Sequence, residues 1–200
     1  MKKVGQRLGV ALSVFLAIAA WADPPPPLPS DSIYQLKAGL TTQDNHAAGL
    51  DLERGHPTLI SMFYGSCPAA CPMLITAMQV YEKKLPDSQR AALHVLLISF
   101  DAERDTPAKL QKIAQLHRVD SQRWMFASAA EPQARKIAAL LGFQYRRQPD
   151  GNYDHSLLIT LLDENGRMLA QTTNLIGDEG FVDAMRKATS NTNAVPAPSH

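Results

Sequence analysis

Two hydrophobic rhythms alternate along the chain. Residues 58–64 (TLISMFY) form an unbroken apolar, partly β-branched and aromatic run, bounded by Gly55 and Pro57 before it and Gly65 after it. Such a run predicts a strand buried on both faces. From 71 to 85 the apolar positions become Leu74, Ile75, Met78, Val80 and Tyr81, a helical spacing that Pro86 ends. Residues 93–100 (LHVLLISF) predict a second buried strand. Thr106 followed by Pro107 is an N-cap with proline at the first helical position, opening a helix to about His117. A short strand follows at 124–127. A helix then opens at Glu131-Pro132 and closes at Gly142. Residues 156–162 (SLLITLL) read as a strand, Asn165-Gly166 as a hairpin turn, 167–172 as its partner strand and 180–188 as a last amphipathic helix.

Strand–helix–strand–helix followed by a hairpin and a helix predicts an α/β fold, a mixed sheet with helices on both faces. In such sheets functional residues gather beyond the carboxyl ends of the parallel strands. Cys67 and Cys71 follow the first strand and Asp101 and Arg104 follow the second, so the two groups are expected at one edge.

Composition narrows the classes. With 45% hydrophobic and 20% charged residues in 200, the chain is neither largely disordered nor a polytopic membrane protein. A net charge of +1 gives no basic excess for a nucleic-acid backbone. Two cysteines are too few for a disulfide-rich scaffold or a four-thiolate zinc site.

The ends read as an address and a tail. Lys2, Lys3 and Arg7 precede an uncharged run at 8–20 and the small-x-small pattern Ala20-Trp21-Ala22, the layout of a secretory signal peptide over 1–22. The run would span ~20 Å as a helix against a hydrocarbon core of ~30 Å, which favours cleavage over a permanent anchor. Without Lys2, Lys3 and Arg7 the balance is seventeen basic to nineteen acidic residues, a net charge of −2. Residues 23–30 are a proline-rich spacer, 31–189 the folded domain and 190–200 a frayed tail. The expected location is the periplasm or the exterior, with an uncleaved inner-membrane anchor as the alternative.

The chemistry concentrates in Ser66-Cys67-Pro68-Ala69-Ala70-Cys71-Pro72, at a strand-to-helix junction. Side chains at i and i+4 share a helix face with Cβ atoms about 5–6 Å apart, near disulfide closure and also suited to two thiolates converging on one metal ion. The helix amino end favours a thiolate. A purely structural disulfide is the plain alternative, but so small a loop stabilises by only ~2 kcal/mol. Among six histidines, His155 stands between the turn Pro149-Asp150-Gly151 and a strand; a lone histidine there is usually structural. Asp101 and Arg104 read either as a loop ion pair or as groups that tune the site. Phe63, Tyr64, Phe100 and Trp124 read as core or rim.

Three segments in register resemble the Sco/SenC family of thioredoxin-like copper-binding proteins: MFYGSCPAACP at 62–72, SFDAERDTP at 99–107 and YDHSLLITLLDENG at 153–166. The likeness covers roughly 33–188. It implies a thioredoxin-like fold with an added amino-terminal hairpin from 33–53. It implies copper, Cu(I) or Cu(II), held by Cys67, Cys71 and His155, with Asp101 close by; the two cysteines would also be able to form a disulfide. Many members carry an acidic residue between the cysteines, as in CPDVC, where this chain has Ala69 and Ala70, so local charge is lost while the ligands remain. The implied function is a monomeric accessory protein for assembly of the CuA centre of cytochrome c oxidase. Its partners would be the copper-acceptor subunit and other periplasmic copper carriers or thiol reductants, with no nucleic acid. The alternative is a thiol–disulfide oxidoreductase that reduces the acceptor's cysteines. Peroxide scavenging and a non-catalytic disulfide domain are weaker readings.

Overall fold

A computed structural model describes residues 26–68 and 70–190. The expected signal segment, most of the spacer, Ala69 and the tail from 191 lie outside the described residues. A single turn of 3-10 helix, Ile33–Gln35, leads into β1 (Leu40–Thr42), β2 (Ala47–Ala48) and β3 (Thr58–Phe63). Then come α1 (Ala70–Lys83), α2 (Asp87–Ala92), β4 (His94–Ser99), α3 (Pro107–His117), β5 (Trp124–Ser128) and α4 (Glu131–Leu141). The chain finishes with β6 (Tyr145–Arg147), β7 (Tyr153–His155), β8 (Ile159–Leu162), β9 (Met168–Thr172) and α5 (Glu179–Ser190).

The main sheet has the order β2-β1-β5-β4-β3-β8-β9. Its centre, β5-β4-β3, is parallel; β8 joins β3 antiparallel, and β9, β1 and β2 complete a mixed sheet. Every residue of β3 is buried, as a strand covered by helices on both faces requires. In α1 the residues Cys71, Leu74, Ile75, Met78 and Tyr81 are buried, one helix face laid on the sheet. The expected added hairpin is β1–β2, within 33–53.

Local chemistry sets the helix ends. Thr106 Oγ1 accepts from Lys109 N–H, and Pro107 fills the first position of α3. Gly142 closes α4 at φ 72°. The β8–β9 turn closes through Gly166 N–H to Asp163 O (3.1 Å), with Gly166 at φ 78°. A Cβ on Gly166 would stand 2.5 Å from the Tyr34 ring, so the amino-terminal segment packs on this turn only because glycine is there.

Two expectations need correction. The strand expected over 156–162 is confined to 159–162. Ser156 N–H turns aside to Gln144 O (2.9 Å), and Leu158 O accepts from Ser61 Oγ (2.6 Å), so these residues leave one sheet before the chain joins the other. The residues before them pair in a separate ribbon, β6–β7, with Tyr145 opposite His155. The helix expected before Pro86 is α1, which stops at Lys83, and the exposed α2, which was not expected, begins after Pro86.

Candidate metal centre

Cys67 lies in the loop leaving β3 and Cys71 in the first turn of α1. Cys71 is buried and Cys67 half-buried. The Cys71 backbone N–H donates to Cys67 Sγ (3.3 Å), so the amino end of α1 reaches the first sulfur. The expected easing of both thiols towards thiolate does not hold for Cys71. Burial pushes that thiol up, a backbone hydrogen bond at Tyr64 opposes the rise, and the nearby Cys67 adds to it.

His155 arrives from β7. Its Nε2 stands 3.8 Å from Cys67 Sγ and 3.8 Å from Cys71 Sγ. Its Nδ1 lies 2.7 Å from the Ser156 carbonyl oxygen, so Nδ1–H donates there and the Nε2 lone pair faces the sulfurs. The three ligand atoms all lie within 4.8 Å of one another, the one such group of three among the described residues. Three bonds of about 2.3 Å to sulfur and about 2.0 Å to nitrogen, opened to ~120°, place sulfur and nitrogen ~3.7 Å apart. The spacing therefore fits a first-row metal ion, and two thiolates with one imidazole form a soft donor set.

Aromatic rings surround the imidazole. Tyr64 meets it edge-on at 5.7 Å, Phe100 lies tilted at 5.9 Å and Phe143 stacks at 6.0 Å. The sulfurs face a cavity of about 80 Å³ lined also by Ile75, Ile113, Leu116 and His117.

The loop after β4 does meet the cysteine loop, as expected. Asp101 is buried and ion-paired to Arg104, and its carboxylate is not among the three clustered ligand atoms. A residue that sequence reasoning passed over is Asp105, wholly buried. It accepts from Gly65 N–H (2.6 Å) and from Ser99 Oγ, and pairs with Lys109 Nζ (2.7 Å). Lys109 Nζ in turn donates to Ser66 Oγ (2.8 Å), so this carboxylate and this ammonium hold both residues before Cys67. The available signal was a second acid just before the Thr106-Pro107 cap. Phe143 was also passed over; it follows the helix-closing Gly142 directly.

A central mixed sheet with a cysteine pair at the end of β3 and a facing histidine defines a thioredoxin-like domain carrying a Cys–Cys–His ligand set. A family model described as SCO1/SenC matches residues 34–190, and the chain belongs to that family. The SCO2-like protein of Rickettsia typhi is 29% identical over 123 residues, spanning 58% of this chain and 58% of that relative. The structure of Bradyrhizobium japonicum ScoI with copper bound aligns with 25% identity and a TM-score of 0.60, covering 78% of this chain and 95% of that one. Yeast Sco1 with copper bound shares the fold at 17% identity and a TM-score of 0.62, over 81% of this chain and 89% of its own.

Proposed function

We propose that this chain binds one copper ion through Cys67, Cys71 and His155 and passes it to an acceptor protein outside the cytoplasm, the CuA-bearing subunit of cytochrome c oxidase. The observation that carries this reading is the placement of His155 Nε2 at equal distance from both sulfurs, with its lone pair turned to them by the Ser156 carbonyl. Family membership and the copper-bound relatives support it. Copper is cargo here. Both thiols lose their protons on loading, so affinity falls with acidity, and a Cys67–Cys71 disulfide would have no thiolate to offer. Three protein ligands leave room for a fourth from the acceptor, and half-buried Cys67 is the more accessible sulfur. Among the described residues no helix is long and apolar enough to cross a membrane.

The test is copper stoichiometry and affinity of the reduced protein for Cu(I) and Cu(II), with Cys67→Ser and His155→Ala alongside. Tight one-to-one binding, lost in Cys67→Ser and weakened in His155→Ala, is expected. Absence of tight binding in the reduced wild type would overturn the reading.

The unequal exposure of the sulfurs favours a second reading, a dithiol reductant of the acceptor. Cys67 thiolate attacks the acceptor disulfide and releases one acceptor thiolate; Cys71 then attacks the mixed disulfide. The acceptor leaves as a dithiol, two electrons richer, and Cys67–Cys71 is oxidised. Metal-free protein would reduce an oxidised CuA domain stoichiometrically, and His155→Ala would keep that rate.

A further inference from the structure

We propose that Arg104 is a positioning residue for His155: its guanidinium clamps the β6–β7 ribbon against the end of β3 and so sets where the third ligand stands.

The ribbon takes two holds, one from Phe100, which stacks on Tyr145 at 4.4 Å and meets Tyr153 edge-on at 5.2 Å, and one from Arg104. It consists of two three-residue strands whose Arg146, Arg147 and Asp154 are exposed, and an isolated two-stranded hairpin is marginal in water. His155 is carried at its end. Arg104 comes from another part of the chain, the loop after β4. Its Nε donates to the carboxylate of buried Asp101, which fixes the base of the side chain. The guanidinium carbon then stands 6.0 Å from the Tyr64 ring centroid and 5.5 Å from the Tyr153 ring centroid. Tyr64 directly follows β3, and Tyr153 opens the second strand of the ribbon. The two rings meet edge-on at 5.2 Å, and Tyr153 N–H donates to the Tyr64 hydroxyl at 3.5 Å. Arg104 also reaches the ribbon's turn: Nη1 lies 4.0 Å from where a Cβ on Gly151 would stand. One planar cation thus lies beside the ribbon's turn and against its second strand, and the same Tyr64 it faces packs edge-on to the His155 ring.

Charge alone does not account for this arrangement. No second carboxylate pairs with the Arg104 guanidinium; beyond Asp101 it is held by Tyr153, through a side-chain hydrogen bond and the face of the ring. A flat guanidinium can pair with Asp101 and still lie over two rings; an ammonium can keep the ion pair but not the stacking. Lysine at 104 therefore separates a clamp from a plain loop ion pair.

The copper readout of this proposal rests on the copper-binding reading above; the clamp itself is tested without metal. Amide hydrogen exchange is compared for metal-free wild type, Arg104→Lys and Arg104→Met. In both variants the amides of β6 and β7 are expected to exchange about tenfold faster while those of β3 and β4 keep their protection. Cu(II) affinity is expected to fall about tenfold, with weaker nitrogen coupling in the electron paramagnetic resonance spectrum, and Cu(I) affinity to change less than about threefold. Wild-type ribbon exchange in Arg104→Lys would overturn the clamp in favour of the ion pair. Equal acceleration in β3 and β4 would overturn it in favour of a general stabilising role. A wild type that binds no copper would remove the copper reading, and the exchange comparison would still decide the clamp.

Discussion

His155 and Ser156 are chain neighbours, and the carbonyl of the second, 2.7 Å from Nδ1, points the ring of the first at the two sulfurs. The tautomer of the ligand ring is set by the residue beside it. Replacing His155 with Ala removes a nitrogen donor and leaves both thiolates. Cu(II), which depends more on imidazole, is expected to lose more than ~100-fold in affinity, beyond what outer partners of a ligand contribute, and Cu(I) much less. Competition titrations for both oxidation states check this; equal Cu(II) affinity in the mutant would remove His155 from the ligand set.

Gly65→Ala is expected to destabilise the fold by ~1–3 kcal/mol, because the new methyl has nowhere to go. It would stand 2.7 Å from Asp105 Oδ1 and 2.8 Å from Ile113 Cδ1. The Asp105 carboxylate cannot retreat, being held by Gly65 N–H and Lys109. The cysteine loop must shift instead, so copper affinity falls together with the urea midpoint. An unchanged midpoint would contradict the crowding.

Glu82 offers a contrast at the other end of α1. Its buried carboxylate accepts from the Trp124 indole N–H (3.1 Å) and from Arg123 Nη1 (3.2 Å). Glu82→Ala strands the indole N–H, while Arg123 keeps the Arg90 and Leu93 carbonyls and Asp120, and is expected to cost about 1–3 kcal/mol in urea unfolding. Copper affinity should not change, since the residue lies eleven positions along the helix from Cys71, about 16 Å away at 1.5 Å per residue. A coupled loss of affinity would show that α1 does not insulate the site.

Acid should weaken the fold through two histidines. Burial, and next the nearby His94, hold the His56 pKa below its ordinary 6.5, with Glu53 opposing; burial alone lowers that of His117. Each ring binds its proton more readily in the unfolded chain. Stability is therefore undiminished above pH 6.5 and drains away as the pH falls below it. His56 also stacks on His94 at 3.8 Å, an arrangement that a second positive charge opposes. Thermal unfolding between pH 8 and 5 measures the slope. A profile equally steep in a His56→Gln, His117→Gln double variant would assign it to other groups.

Legibility from sequence followed locality. The α3 and α4 boundaries could be read because caps are local chemistry: Thr106 with Pro107, and Gly142. The buried runs of β3 and β4 could be read because helices cover both faces. The strands YRR and YDH could not, since three residues of mixed polarity carry no period, and α2 buries none of its residues. At the site, the cysteine pair follows from an i,i+4 spacing at a strand-to-helix junction. His155 lies 84 and 88 residues from the sulfurs, so spacing does not tie it to them; its place between a turn and a strand sets it apart from the other histidines, and only the family resemblance gives it a ligand's role. The sequence also cannot distinguish Asp105, which is wholly buried, from a solvated aspartate in the same loop.

The separation of the ligands along the chain has a consequence in time. Cys67 and Cys71 are made early, and the ring that completes their site is made 84 residues later, ahead of the strand that docks antiparallel on β3. At about 5–20 residues per second, ~4–17 s pass in synthesis between the second sulfur and the nitrogen. A nascent chain therefore presents two thiols without the imidazole, and the complete three-donor site exists only once the last third of the domain has closed over the first.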